Sequence, residues 1–440
     1  MPKGSLTVLR YSASKPSEVQ RVVNQIRNAP TAHTSQDIEG VASEILSKVK
    51  KTGDKALIKY GRKFDSPKIV KAKDLLVARS EIDGAYSKLS QEQITAIKKA
   101  YDQIRFLATE QFKRFGRKKI KTPLGYDIEE RYEAFSRIGG YVPGGLAAYP
   151  STVLMICAPA KVAGVKEIVL CTPPRKDGKV SEAILVAADV CGVTEIVKSG
   201  GAQAIGALAY GTDTVSKVDL IAGPGNAYVT EAKRQVSAKG EVLIDSLAGP
   251  TELLVLADGD ADADYVVEDL ISQAEHGNRT LCGVVSDSAE LLDSVEEKIS
   301  SMLLRNRMEH IKNAILFAVK VSSPKMIVEF GQRFAPEHLE TMLAPRYAKL
   351  LTNSGLVLSG DFTPCSSTDY IVGTNHILPT GGTARTSSGL AVENFLKRVT
   401  VVKGSRDSLR RSSGYIATLA TMEGLPNHAR AALSRFGGAG

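Results

Sequence analysis

A chain of 440 residues has room for about two to four domains, each able to bury its own core. With 43% hydrophobic and 24% charged residues it has the composition of a globular protein rather than a disordered one. The net charge of +9 is uneven: residues 1–125 hold 26 Lys+Arg against 12 Asp+Glu, leaving 31 against 36 in the remainder. Apolar runs such as Val153–Ala160 are far too short to span a bilayer, and Met1–Lys15 lacks the apolar segment of a signal peptide. The five cysteines are odd in number, widely spaced and without a Cys-x-x-Cys, which suits a reducing cytoplasm and argues against a thiolate zinc site. The expected location is cytoplasmic.

In chain order, residues 36–115 read as helical. Ile38, Val41, Ile45 and Val49 repeat at helical spacing, and Ser90-Gln91-Glu92-Gln93 has capping-box form ahead of Ile94, Ile97 and Ile104. The basic run Lys113–Lys121 is read as a solvated helix end and loop. A nucleic-acid arm is the competing reading, but only Phe112 and Phe115 interleave and no binding motif accompanies the charge.

From about Ser136 short β-rich runs alternate with helical ones. Strands are predicted at Arg137–Val142, Glu167–Cys171, Glu195–Lys198 and Lys217–Ala222, and helices at Ser151–Ala163, Glu182–Val190, Gln203–Tyr210 and Ala227–Ala238. The alternation resumes with Glu252–Leu256 (strand), Ala261–Ala274 (helix), Thr280–Val285 (strand) and Ala289–Leu303 (helix). Such βαβα order predicts parallel sheets covered by helices, here two α/β lobes of doubly wound, Rossmann-like type with helical additions at both ends.

Candidate chemistry is concentrated in a few motifs. Glycine-rich turns fall at three predicted strand-to-helix junctions: Tyr141-Val142-Pro143-Gly144-Gly145, Gly200-Gly201-Ala202-Gln203 and Gly223-Pro224-Gly225-Asn226. Turns of this kind let a backbone approach a phosphate, although none is a regular Gly-x-Gly-x-x-Gly. Four of the six histidines lie in polar, turn-rich contexts: His276, His338, His376 and His428. Imidazole is a common metal ligand and the usual proton carrier near neutral pH. Gln273 and His276 are spaced i, i+3 at a predicted helix end, so both point the same way, and Asp369 and His428 would complete an N/O ligand set of the zinc type. Glu337 and His338 follow Pro336, a helix-start signal that places both at a helix N-terminus facing a cleft. An adjacent carboxylate and imidazole suit activation of water and proton transfer.

Five stretches in order carry a resemblance over nearly the whole chain: Gly200–Ile205, Gly223–Arg234, Gln273-Ala274-Glu275-His276-Gly277, Pro336-Glu337-His338-Leu339 and Gly373–Thr380. Together they resemble the L-histidinol dehydrogenase family. The resemblance implies oxidation of L-histidinol through L-histidinaldehyde to L-histidine, with one zinc per subunit and two NAD+ reduced, as the terminal step of histidine biosynthesis. It implies Gln273, His276, Asp369 and His428 as zinc ligands, and Glu337 and His338 as the acid–base pair. Tyr141, Gln203 and Asn226 match NAD contacts, and Thr251, His376 and Glu423 match substrate contacts, alongside His338 and the four ligands. It also implies an intertwined homodimer in which the last ligand and Glu423 come from the partner chain. The implied division is an N-terminal segment 1–34, one α/β domain from 35–138 plus 249–388 carrying the catalytic pair and most ligands, an NAD-binding domain 139–248, and a helical tail 389–440 reaching the partner. Thr251 stands where the family usually has Ser, and Cys365 where many members have Glu. Without the resemblance, the same ligands beside a Glu-His pair also suit a zinc hydrolase, a reading that leaves the glycine-rich turns unexplained.

Overall fold

The computed structural model describes residues 8–28, 37–144, 148–277, 279–306, 311 and 313–437. The first third holds β1 (Val8–Ala13), α1 (Pro16–Arg27), α2 (Ile38–Thr52), α3 (Asp54–Tyr60), α4 (Arg79–Tyr86), α5 (Gln91–Phe112), β2 (Lys118–Lys121) and β3 (Asp127–Ala134). Next come β4 (Arg137–Tyr141), α6 (Pro150–Ala163), β5 (Glu167–Thr172), α7 (Glu182–Val190), β6 (Glu195–Lys198), α8 (Gly201–Tyr210), β7 (Leu220–Ala222), α9 (Ala227–Ala238) and β8 (Leu243–Ile244). A second alternation follows: β9 (Glu252–Ala257), α10 (Ala263–Ala274), β10 (Leu281–Ser286), α11 (Ala289–Asn306), β11 (Ile315–Val321), α12 (Pro324–Phe334), β12 (His338–Thr341), α13 (Pro345–Ala348), β13 (Leu356–Ser359) and α14 (Cys365–Tyr370). The chain closes with β14 (Leu396–Lys403), α15 (Arg406–Met422) and α16 (Pro426–Leu433).

The strands form a parallel five-stranded sheet, β6-β5-β4-β7-β8, and a parallel six-stranded sheet, β1-β11-β10-β9-β12-β13. In each, the strand that comes first in the alternation is central and later strands are added to either side, the order of a doubly wound sheet. Buried apolar clusters lie on both faces of both sheets, which is why β9 is buried along its whole length.

Several expectations need correction. Residues 8–13 are no separate N-terminal segment: β1 pairs with β11 at the edge of the six-stranded sheet, and α1 packs on α12. Helices α2 to α5, expected with residues 249–388, pack instead on the five-stranded sheet. There Ile45, Leu46 and Val49 meet Ile205 and Leu208, and Ile97 and Ile104 join the cluster of Val153 and Ile156. The 36–115 helical region is broken after α3, where a short π-helical turn over Gly61–Asp65 leads into a loop. Lys118–Lys121, read as helix end and loop, is β2, and the tail opens with a strand; β14, β3 and β2 form an antiparallel sheet.

Candidate active site

A cavity of about 1050 Å³ lies between the two sheets. From the five-stranded sheet it is lined by Pro143, just after β4, and by Pro224, Gly225 and Asn226, just after β7. From the six-stranded sheet it is lined by Thr251, just before β9, and by Glu337 and His338 at the start of β12. Gln273 and His276, from the end of α10, and Asp369, from α14, complete that wall. The cavity therefore joins the C-terminal edge of one sheet to the N-terminal edge of the other.

The catalytic candidates do not sit at a helix N-terminus. Helix α12 ends at Phe334 with Ala335 in the left-handed conformation (φ 51°). Pro336 has no N–H to extend a helix, and His338 instead pairs with Leu253 and Leu356 in the sheet. Glu337 Oε2 accepts the Glu252 backbone N–H at 3.0 Å and lies 3.9 Å from His338 Nδ1; His338 Nε2 is 3.6 Å from Asp369 Oδ1. At these separations the imidazole is near both carboxylates without being hydrogen-bonded, so both of its nitrogens are buried and unpartnered. Burial pushes the Glu337 carboxyl up to about 7, the effect being only partly offset by His338 and the Glu252 N–H. For His338 burial acts downward, but Asp369 and Glu337 outweigh it and the imidazole rises above its ordinary value. Asp369 is also buried, yet His338 and Gln273 hold it below the usual carboxylate range.

The four ligand candidates divide. Gln273 Nε2 donates to Asp369 Oδ2 at 3.1 Å, leaving Gln273 Oε1 buried without a partner, and His276 lines the same wall. His428 and Glu423 are exposed at the ends of α15 and α16 and do not line the cavity. Among the described residues, His338, Cys365 and Asp369 place ligand-bearing atoms within 4.8 Å of one another, a cluster that shares only Asp369 with the sequence-derived set. His376 lines the cavity, with Nδ1 3.0 Å from the Asp369 carbonyl and Nε2 3.3 Å from Thr152 Oγ1, so it ties α14 to α6.

On the opposite wall Asn226 caps α9, its Oδ1 accepting from Tyr228 and Val229 N–H. At Gly223 (φ +118°) a Cβ would collide with the Tyr141 carbonyl oxygen, so only glycine fits that turn. Tyr141 and Gln203 lie deeper and do not line the cavity. The Tyr141 hydroxyl accepts the Gly201 N–H at 3.1 Å, and Gln203 Nε2 donates to Asp65 Oδ2 at 3.3 Å. Burial pushes the Tyr141 phenol up to about 12. Sequence reading missed Asp65, which also accepts the Gly200 N–H, and the Arg27–Glu252 ion pair beneath Glu337 (2.6 Å). Neither carries a local signal, since the partners are 135 and 225 residues apart.

The histidinol dehydrogenase family profile matches residues 28–436. The histidinol dehydrogenase of Methanocaldococcus jannaschii is 42% identical over 405 residues, covering 91% of this chain and 93% of that one. Histidinol dehydrogenase 2 of Nostoc sp. is 41% identical, covering 96% and 97%. The crystal structure of histidinol dehydrogenase from Elizabethkingia anophelis superposes with a TM-score of 0.89 at 34% identity, over 97% of this chain and 98% of that one. The protein is thus an oxidoreductase built on parallel α/β sheets. It belongs to the histidinol dehydrogenase family, and its activity serves histidine biosynthesis.

Proposed function

We propose that the protein oxidises L-histidinol to L-histidine in two successive two-electron steps within this one cavity, using NAD+ and a divalent metal of the zinc type. The observation that carries this reading is the buried Glu337–His338 pair, with both imidazole nitrogens unpartnered, on the same cavity wall as Gln273 and Asp369.

The residues present fit a metal. Gln273 offers a buried, unpartnered Oε1 beside the ionised Asp369, and His276 opens onto the same space. These three would hold it, with His428 as fourth ligand; the metal's chemistry is to anchor the substrate's nitrogen donors and polarise its alcohol oxygen. Residues 139–248 would bind NAD+, the hydride acceptor, with Asn226 at the cavity wall and Tyr141 and Gln203 supporting the Gly200-Gly201 turn from beneath. In the first step His338 takes the hydroxyl proton of the primary alcohol as its carbon loses hydride, leaving the aldehyde and NADH. Glu337, poised near neutrality, then takes a proton from water as the water oxygen bonds to the aldehyde carbon. The hydrate anion so formed gives its hydride to a second NAD+, and the resulting carboxylic acid loses its remaining proton to solvent, leaving the carboxylate and a second NADH. Thr251, His376 and Glu423 would orient the substrate.

The exposed position of His428 and Glu423 supports a shared site. Tyr415, Leu419 and Met422 form an apolar stripe at i, i+4 and i+7 on α15 that the described residues of the single chain leave uncovered. We read it as the surface that docks the tail on a partner subunit, so that each cavity receives His428 and Glu423 from the other chain of a homodimer. A reducing, cytoplasmic setting suits five buried, unpaired cysteines, and none of the described helices is long and apolar enough to cross a membrane.

The test is NADH formed per histidinol consumed, with and without a chelator. Two NADH per substrate, and loss of turnover on metal removal, are expected. One NADH with accumulating aldehyde, or full turnover after chelation, overturns the reading.

A further inference from the structure

One layer beneath the cavity floor, two carboxyl groups face each other. Glu340 lies two residues beyond His338 on β12, and Asp269 lies four residues before Gln273 on α10. The side-chain alternation of a strand puts His338 and Glu340 on one face of the sheet, and i, i+4 spacing puts Asp269 and Gln273 on one face of the helix. That sheet face is the one α10 covers: His338 and Glu340 are in register with Leu253 and Val255, which pack with Val266, Leu270 and Ala274 of α10. Two strand residues advance about 6.6 Å and four helix residues about 6 Å, and α10 runs antiparallel to the strand, so the lower pair lies directly under the upper pair.

The third element is tied to the same point. Glu340 Oε1 accepts the Cys365 backbone N–H at 2.6 Å, at the start of α14, and Asp369 follows one turn later on that helix. Among the described residues no N–H reaches Glu340 Oε2, and its neighbour is the Asp269 carboxyl. Two carboxyl groups in contact do not both ionise freely, so this pair, with Glu340 buried and Asp269 half-buried, shares one proton. Burial raises both carboxyls above their ordinary values, and the shared proton bridges Glu340 and Asp269.

We propose that Glu340 and Asp269 are positioning residues for the proposed metal and acid–base site, a hydrogen-bonded carboxyl clamp that holds β12, α10 and α14 at the separation at which His338, Gln273 and Asp369 work together. Neither touches substrate. They act through the backbone elements that carry the three functional side chains, as partners behind a ligand shell do, where mutation costs about 10–100-fold in metal affinity or activity. The inference rests on the metal-site reading above, and its test separates the two.

The test compares Glu340→Ala, Glu340→Gln and Asp269→Ala in the full-length protein. Zn2+ affinity is measured by competition with a chromophoric chelator, together with kcat, the KM for NAD+ and the thermal midpoint. Glu340→Gln keeps both hydrogen bonds, with Oε1 accepting from Cys365 and Nε2 donating to Asp269. It should stay within about three-fold of wild type in Zn2+ affinity and kcat, whereas Glu340→Ala should lose about ten-fold or more in both at an unchanged KM for NAD+. Asp269→Ala should fall on the same side as Glu340→Ala, and it decides the matter if the latter does not fold. The clamp is overturned if Glu340→Ala lowers the thermal midpoint yet leaves affinity and kcat per folded chain within about two-fold, or if Glu340→Gln is as damaging as Glu340→Ala. If wild type binds no Zn2+, the metal reading fails, and the kcat comparison alone then decides the clamp.

Discussion

Replacing Glu337 by Gln tests the electrostatics of the site directly. Burial raises the Glu337 carboxyl from 4.5 to about 7, so the folded protein holds that proton more tightly than the unfolded chain does. The stability this provides is complete below the unfolded value and is lost as pH rises towards the folded one. Above pH 7 the wild type therefore carries a buried charge that costs about 2.5 pH units of binding, or roughly 3 kcal/mol. The substituted side chain would still accept the Glu252 N–H through its amide oxygen, so the geometry survives and the charge does not. In chelator-stripped protein, Glu337→Gln should be more stable than wild type by about 3 kcal/mol at pH 8, shrinking to below about 1 kcal/mol at pH 5. Urea unfolding across that range measures the difference. The same variant should keep alcohol oxidation but lose about 10²–10⁴-fold on histidinaldehyde supplied directly, because no group then takes the water's proton. A stability difference that is flat with pH would refute the burial argument, and equal losses on the two substrates would refute the assigned role.

Three further outcomes are expected. His276→Asn should lose bound metal and turnover while its far-ultraviolet circular dichroism is unchanged; metal content equal to wild type would remove His276 from the ligand set. Mixed and refolded, Asp369→Ala and His428→Ala chains, each inactive alone, should recover about a quarter of wild-type activity, since half the dimers are mixed and each of those has one intact site. Heterodimers that stay inactive would place all ligands on one chain. Lys233 and Asp245 form an ion pair with both side chains buried, and it also grips both backbone polar groups of Gly223. Lys233→Met, by stranding the Asp245 charge, should cost about 3–5 kcal/mol in urea unfolding, with Asp245→Asn on the same background recovering much of it; no recovery would show that packing rather than charge is lost.

What was legible in the sequence was local. The capping box at Ser90 is present at the start of α5, and the βα alternation from Arg137 to Ala274 matches the elements observed because periodicity and turn chemistry depend on residues a few positions apart. The same local reading placed His338 on a helix, because Pro336 signals a helix start; here it follows a helix end capped by Ala335, and pairing with β9 and β13 made the segment a strand. Lys118–Lys121 carried no strand signal because all four residues are exposed and show no alternation, and only pairing with β3 defines them.

By itself, then, the sequence determined the parallel α/β class and the family, both of which are carried by local periodicity and short contiguous motifs. Tertiary structure alone decided that α2 to α5 cover the five-stranded sheet, and that the cavity joins the C-terminal edge of one sheet to the N-terminal edge of the other. It alone brought Arg27 to Glu252, Asp65 to Gly200, and Glu340 to Cys365. These contacts close loops of 25 to 225 residues, and no interaction between sequence neighbours encodes such a closure. They exist because burying both faces of each sheet leaves few ways to satisfy the polar groups trapped between them.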